Sequence, residues 1–322
     1  MTDKPREAPA PARATKEEAG FDLGHALQSV VAIQTIIPDD AFTAHVLGVK
    51  RAGSGVVIRE SGLILTIGYL ITEAEEVWVT SADGRVIPAH ALAIDTQSGF
   101  GLVQALDRLD LPAMQIGRSS EAKPGDPVIV AAGGRKQFVR AAIAAKQEFA
   151  GYWEYFLDEA IFTTPAHPFW GGAAMIGRDG KLLGIGSLYV EQVSAEGPQE
   201  TNMIVPIDLL TPVLDELVTR GKIDKPPRPW LGVYSVESNG RIVVAEVAEH
   251  GPAAAAGMQR GDVISAVRDS SVASLRDFYT KVWSCGAAGV EIPIEVVRSG
   301  RGLWLRVRSA DRASFLKKPR LH

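Results

Sequence analysis

The sequence predicts a mainly β protein that ends in a small α+β unit, and three observations carry that reading. Short apolar segments recur between turn signals, at the spacing of an antiparallel barrel or sandwich: Ser61-Gly62, Asp83-Gly84, Pro124-Gly125-Asp126 and Gly133-Gly134. Strands do not alternate with long helices, which disfavours a doubly wound α/β fold. The first strongly periodic helix, DLLTPVLDELVTR from Asp208 to Arg220, stands just ahead of a proline linker, KIDKPPRP.

Taken in order, residues 1–25 read as a disordered tail, too polar and proline-interrupted to repay the entropy of ordering. Residues 26–221 form the β-rich domain. Its strands are drawn from ALQSVVAIQTII, FTAHVLGVK, GSGVVI, LILTI, EVWVT, RVIPAHALAI, GLVQAL, DPVIVAA, FVRAAIAA and YFLDEAIFTT. Asp208 is expected to cap the helix, Pro212 to sit in its first turn and Gly221 to end it. Residues 222–229 are the linker, and 230–310 the second domain, with the order strand, strand, short helix, strand, helix, strand, strand. Pro252 opens the short helix, and Ser274 with Asp277 makes a capping-box pattern for the longer one. Residues 311–322 are a basic tail.

Composition narrows the function. A chain of 322 residues, 46% hydrophobic, can bury a sizeable core. A net charge of −4 gives no basic excess for nucleic acid. Cys285 is alone, which excludes an intramolecular disulfide. No membrane span and no signal peptide are visible, so the expected location is cytoplasmic, or periplasmic if the natural start lies elsewhere. Neither a metal nor a cofactor is expected.

The stretch from Ile161 to Ile185 concentrates the question of activity. It runs strand, tight loop, strand, with Pro165 and Pro168 at a bend, then Trp170-Gly171-Gly172 and an Arg178-Asp179-Gly180 turn. Together with Gly53-Ser54-Gly55, Ile64-Leu65-Thr66, Val205-Pro206-Ile207, Trp230-Leu231-Gly232-Val233, Gly251-Pro252-Ala253 and Gly261-Asp262-Val263-Ile264, it resembles the HtrA/Deg family. That resemblance implies a trypsin-like double β-barrel followed by a PDZ domain. It also implies a catalytic triad, an oxyanion hole and assembly as a homo-oligomer, commonly a trimer.

The triad positions do not hold the triad. The histidine position, three residues after Thr66, is Tyr69; the aspartate position is Gly99; the serine position is Trp170. A phenol with a reference pKa near 10 is a poor general base, glycine orients nothing, and tryptophan has no nucleophilic atom. One oxyanion donor is the N–H two residues before the nucleophile, where Pro168 has none. The expectation is therefore no enzyme: a silent homologue with no catalytic residues, with a serine endopeptidase using a non-standard nucleophile as the alternative. Among six histidines, His167 is the one placed for such a rescue, with Thr163, Thr164 and Ser98 as hydroxyls near it.

Phe169 and Trp170 either plug the cleft or, with Tyr69, form an apolar shelf. Tyr152, Trp153 and Tyr155 read as core or cross-strand pairs. In PDZ domains a ligand's C-terminus adds as a strand beside a loop of backbone N–H groups. By resemblance that loop is Trp230-Leu231-Gly232-Val233, with Phe278 and Val282 facing the ligand. The partners implied are polypeptides or protein C-termini, and an active paralogue, in an adaptor, regulator or chaperone-like role.

Overall fold

The structure is a computed structural model that describes residues 20–133, 137–194 and 197–318. They form two compact units: residues 20–146 with 160–222, and residues 147–159 with 223–318.

The first unit holds two closed barrels. In the first, α1 (Leu23–Gln28) leads into β1 (Val30–Ile36), and α2 (Ala44–Leu47) precedes β2 (Lys50–Arg59). β3 (Leu63–Ile67), β4 (Glu76–Thr80), β5 (Val86–Ile94) and β6 (Phe100–Ala105) follow, closing in the order β1-β2-β3-β6-β5-β4. β3 is buried at every residue, flanked by β2 and β6, whereas β4 alternates, with Val77 and Val79 inside and Glu76 and Trp78 outside. Closure leaves no unpaired sheet edge.

The second barrel comprises β7 (Pro127–Ala132), β8 (Gln137–Gly151), β9 (Tyr155–Thr164), β10 (Ala174–Ile176), β11 (Leu182–Ser194) and β12 (Gly197–Pro206). Its order is β10-β11-β12-β9-β8-β7, around a core of Val130, Ile143, Ile161, Met175 and Ile204.

Three local expectations change. Residues 20–25 were assigned to the tail, yet α1 starts at Leu23, which is buried, and the Asp22 carboxylate accepts from the His25 N–H. FTAHVLGVK was expected as a strand; its middle is α2, closed by Gly48 at φ 78°. The helix expected from Asp208 is split into a 3-10 turn, Ile207–Leu209, and α3 (Leu214–Arg220). Asp208 does not cap that helix but accepts from Ser119 N–H (2.8 Å) and Ser120 N–H (2.9 Å). Gly221 does end α3, in the left-handed conformation.

The second unit contains β13 (Val233–Ser238), β14 (Arg241–Val247), α4 (Pro252–Ala255), β15 (Val263–Val267), β16 (Ser270–Ser271), α5 (Leu275–Ser284), β17 (Glu291–Arg298) and β18 (Arg301–Arg308). The sheet runs β13-β14-β15-β17-β18, with β16 paired to β15. Ser274 Oγ caps α5 by accepting from the Asp277 N–H. The core takes Leu231, Val244, Phe278, Ile292 and Ile294. Asp262, almost wholly buried, is held by Arg298 through two bonds of 2.7 Å, the planar fork matching the carboxylate. Residues 147–159, the tip of the β8–β9 hairpin, belong to this unit, and Ala150 and Phe156 pack against its core.

Candidate functional site

Two sites follow from this framework. In the first unit, a cleft of about 360 Å³ is lined by Ser54, Tyr69, Gly133, Pro168, Phe169 and Trp170, among others. Tyr69 sits on a 3-10 turn, Gly68–Leu70, whose position is set by a buried cation. Arg51 donates from Nη1 to the carbonyls of Tyr69 (2.7 Å) and Thr72 (3.0 Å), and from Nη2 to Thr43 Oγ1 (2.8 Å). Thr43 Oγ1 in turn donates to Glu73 (2.6 Å). Burial lowers the Arg51 pKa to about 10, and Glu73 opposes that shift.

The Tyr69 hydroxyl donates to the Ser187 carbonyl at 3.1 Å. Burial pushes the phenol far above its ordinary value, with the Trp170 indole opposing, so it stays protonated at neutral pH. The Trp170 ring lies 5.4 Å from that of Tyr189, while Phe169 is 59% exposed. Gly99, at φ 85°, accepts the Gly68 N–H at 2.7 Å, directly beside Tyr69. The nearest carboxylate in sequence, Asp95, is committed to its own turn, accepting from Gln97 N–H and from Ser98 N–H and Oγ. Tyr69, Trp170 and Pro168 therefore line one cleft, while Gly99 meets the neighbouring Gly68 and is not among the lining residues.

The turn that carries Trp170 depends on glycine. Gly172 has φ 75°, and a Cβ there would stand 1.9 Å from the Ser54 carbonyl oxygen. His167 is 2% exposed; its Nδ1 accepts from the Phe169 N–H (3.0 Å), and its backbone is clamped by Asn202 at 2.6 and 3.1 Å. Burial lowers its pKa, with the Gln137 carbonyl opposing, which leaves the imidazole neutral. Thr163 Oγ1 is buried, and Ser98 Oγ donates to Asp95.

The second site is the loop before β13. The backbone N–H groups of Leu231, Gly232 and Val233 converge on one carboxylate, that of Glu154, at 3.0, 2.7 and 2.9 Å. Trp230, expected in the same loop, instead exchanges backbone bonds with Ala310 at 3.0 Å and packs on Phe315. Phe278 and Val282 are buried in the core beneath, and Ala150 and Phe156 pack against that core. The Ser235 N–H donates to the Tyr152 carbonyl (2.8 Å), and the Tyr279 hydroxyl donates to the Gly151 carbonyl (2.7 Å). Burial pushes the Glu154 pKa up to about 7, against the three N–H groups and Arg312. The sequence reading missed Glu154: it found only aromatics in GYWEYF, and nothing local marks the glutamate between them.

The trypsin-like peptidase domain family matches residues 53–185, and the PDZ domain family matches residues 229–308. A periplasmic serine endoprotease DegP-like protein of Pseudomonas fluorescens is 29% identical over 78% of this chain and 54% of its own length. The serine endoprotease DegS of Salmonella typhimurium is 26% identical over 82% of this chain and 78% of its own. The chain thus spans about half the length of the DegP-like relatives it matches. Among solved structures, the HtrA-type protease AlgW with tripeptide has a TM-score of 0.53 at 23% identity, covering 95% of this chain and 99% of its own. Among the described residues, no helix is long and apolar enough to cross a membrane.

Two expectations are overturned by these findings. Tyr69, Gly99 and Trp170 led to the expectation of no enzyme, but the relatives are named serine endoproteases. Three positions report on one arrangement of groups, and acyl transfer is run by several. The expected cytoplasmic location also fails, because the relatives are named periplasmic. Tail composition is a poor guide to compartment in a chain that spans about half of its relatives' length.

Proposed function

We infer the function from one premise: the chain belongs to the HtrA family, with a trypsin-like peptidase unit followed by a PDZ domain. Its role is to bind polypeptides, with protein C-termini as the class its PDZ domain takes, in an adaptor, regulator or chaperone-like capacity. The observation that carries this reading is the convergence of the Leu231, Gly232 and Val233 N–H groups on a single carboxylate. Three charge-assisted bonds from fixed backbone donors suit a terminal carboxylate better than any neutral group. In the cleft, Phe169 and Trp170 offer an apolar shelf to an extended chain. Assembly as a homo-oligomer, or with a paralogue that carries the triad, accords with the family.

The test is fluorescence polarisation with pentapeptides ending in Val, Phe or Ala, as free acids and as C-terminal amides. Amidation is expected to weaken binding at least about tenfold, since it removes the charge the loop holds. Equal binding of acids and amides sinks the reading.

A second reading has the relatives' names in its favour: a serine endopeptidase whose nucleophile lies outside position 170. Fluorophosphonate labelling alongside casein digestion tests it, and a labelled residue identifies the nucleophile.

A further inference from the structure

We propose that the 147–159 hairpin is an internal ligand of the PDZ groove, with the Glu154 side chain standing in for a polypeptide C-terminus, so that an external peptide must displace it. This rests on the peptide-binding reading and adds the regulation of that same site.

Five observations converge. Glu154 satisfies the N–H groups of Leu231, Gly232 and Val233 at once, which is the task of a ligand carboxylate. The preceding backbone continues the imitation: the Tyr152 carbonyl accepts from Ser235 on β13, as a strand added to the sheet would. On the opposite side Tyr279 of α5 donates to the Gly151 carbonyl, and Ala150 and Phe156 pack on the core under the groove. The Arg276 guanidinium lies over the Phe156 ring and bonds Glu148 at 2.6 Å, closing the outer side.

The fifth observation is conformational. Glu154 has φ 58°, in the left-handed region that favours glycine and strains any other residue. A glutamate persists there because its carboxylate contacts over-determine the backbone. If the segment were an ordinary turn, glycine would serve it better.

A docked hairpin is present at a high effective concentration, so it competes with any peptide without a loss of translational freedom. Wild-type protein is therefore a weak binder whose groove is held shut by its own chain, and the ligands that open it are those with more apolar area than Ala150 and Phe156 supply.

The test uses the full chain and two variants, Glu154→Ala and Glu154→Gly. Both remove the carboxylate, but only the second relieves the backbone, so a purely conformational role predicts a tighter hairpin in Glu154→Gly. The first readout is residue-resolved amide exchange, which needs no ligand. Both variants are expected to exchange the Leu231, Gly232 and Val233 amides at least about tenfold faster, with Ile292 and Ile294 unchanged as evidence of an intact fold. The second readout is polarisation with the free-acid pentapeptides ending in Val, Phe or Ala, expected to bind both variants at least about tenfold more tightly than wild type. Unchanged exchange overturns the proposal. Equal peptide affinity for wild type and variants overturns it while leaving the peptide-binding reading in place. Faster exchange with no peptide bound by any of the three proteins overturns both, and makes the hairpin a structural clasp.

Discussion

In the barrel cleft, the prominent groups of the lining are side chains, those of Tyr69, Phe169 and Trp170, set beside Gly53, Gly133 and Gly171. In the PDZ loop they are backbone amides, and the side chains of Leu231 and Val233 point into the core. A point substitution replaces the first kind of group outright. It leaves the second kind in place unless proline is introduced. Two sites in one chain can therefore diverge at very different speeds in chemistry while both keep their shape. The difference also decides where a sequence is informative, since a side chain is written in it and a backbone donor is not.

The strongest test of that contrast removes a side chain from the backbone-built site. Phe278 is wholly buried, and Phe278→Ala is expected to cost about 3–5 kcal/mol of the second unit's stability. Urea unfolding followed by tryptophan fluorescence reads it. A loss well under that range shows that the groove wall is less packed than the loop it supports.

Next in size is the donor missing at Pro168. In a chain carrying Tyr69→His, Gly99→Asp and Trp170→Ser, adding Pro168→Gly is expected to raise casein turnover by about 10²–10³. Equal turnover with and without the glycine would show that the cleft does not need an amide at that position.

The pH response of Glu154 comes third. Its docked value of about 7 lies above the ordinary 4.5, so between those limits the docked state binds more protons than the undocked one. Burial costs the docked carboxylate more than the three amides return, so docking weakens as pH rises from about 4.5 to about 7 and is level beyond. The amides themselves favour the anion, and a peptide carboxylate left open to water escapes that burial cost. The charges and phenols facing it are Arg312, Tyr234 of β13 and Tyr279 of α5; burial holds both phenols above their ordinary value, hence neutral across this range. Amide exchange at Leu231 to Val233 across pH 4.5–7.5 measures the trend, and Glu154→Gln is expected to flatten it.

The smallest effect probes the capping of α5. Ser274→Ala removes the acceptor for the Asp277 N–H and is expected to cost about 1 kcal/mol, seen as a small shift of the same urea transition.

Much of the fold was legible because its signals are local. The alternation in β4, the turn before β3 and the capping serine of α5 each involve residues a few positions apart. The expected triad positions rest on local counts too, and two of them, Tyr69 and Trp170, line one cleft. What escaped was whatever pairs across distance. Asp208 had a helix beside it to cap, and instead serves amides 89 and 88 residues away. Glu154 bonds amides 77 to 79 residues away, and no pattern in GYWEYF foretells that. α2 was misread because FTAHVLGVK is apolar enough for a strand, and only Gly48 at its end argues otherwise.

Gly172 is fixed by the backbone it packs against. A methyl group there would meet the Ser54 carbonyl oxygen at 1.9 Å, whereas the neighbouring Phe169 ring is more than half exposed. In a library of single substitutions selected only for folded protein, position 172 is expected to admit glycine alone, while position 169 samples freely. Gly172 is thus maintained by steric exclusion, and its presence here testifies to a well-formed barrel rather than to hydrolysis.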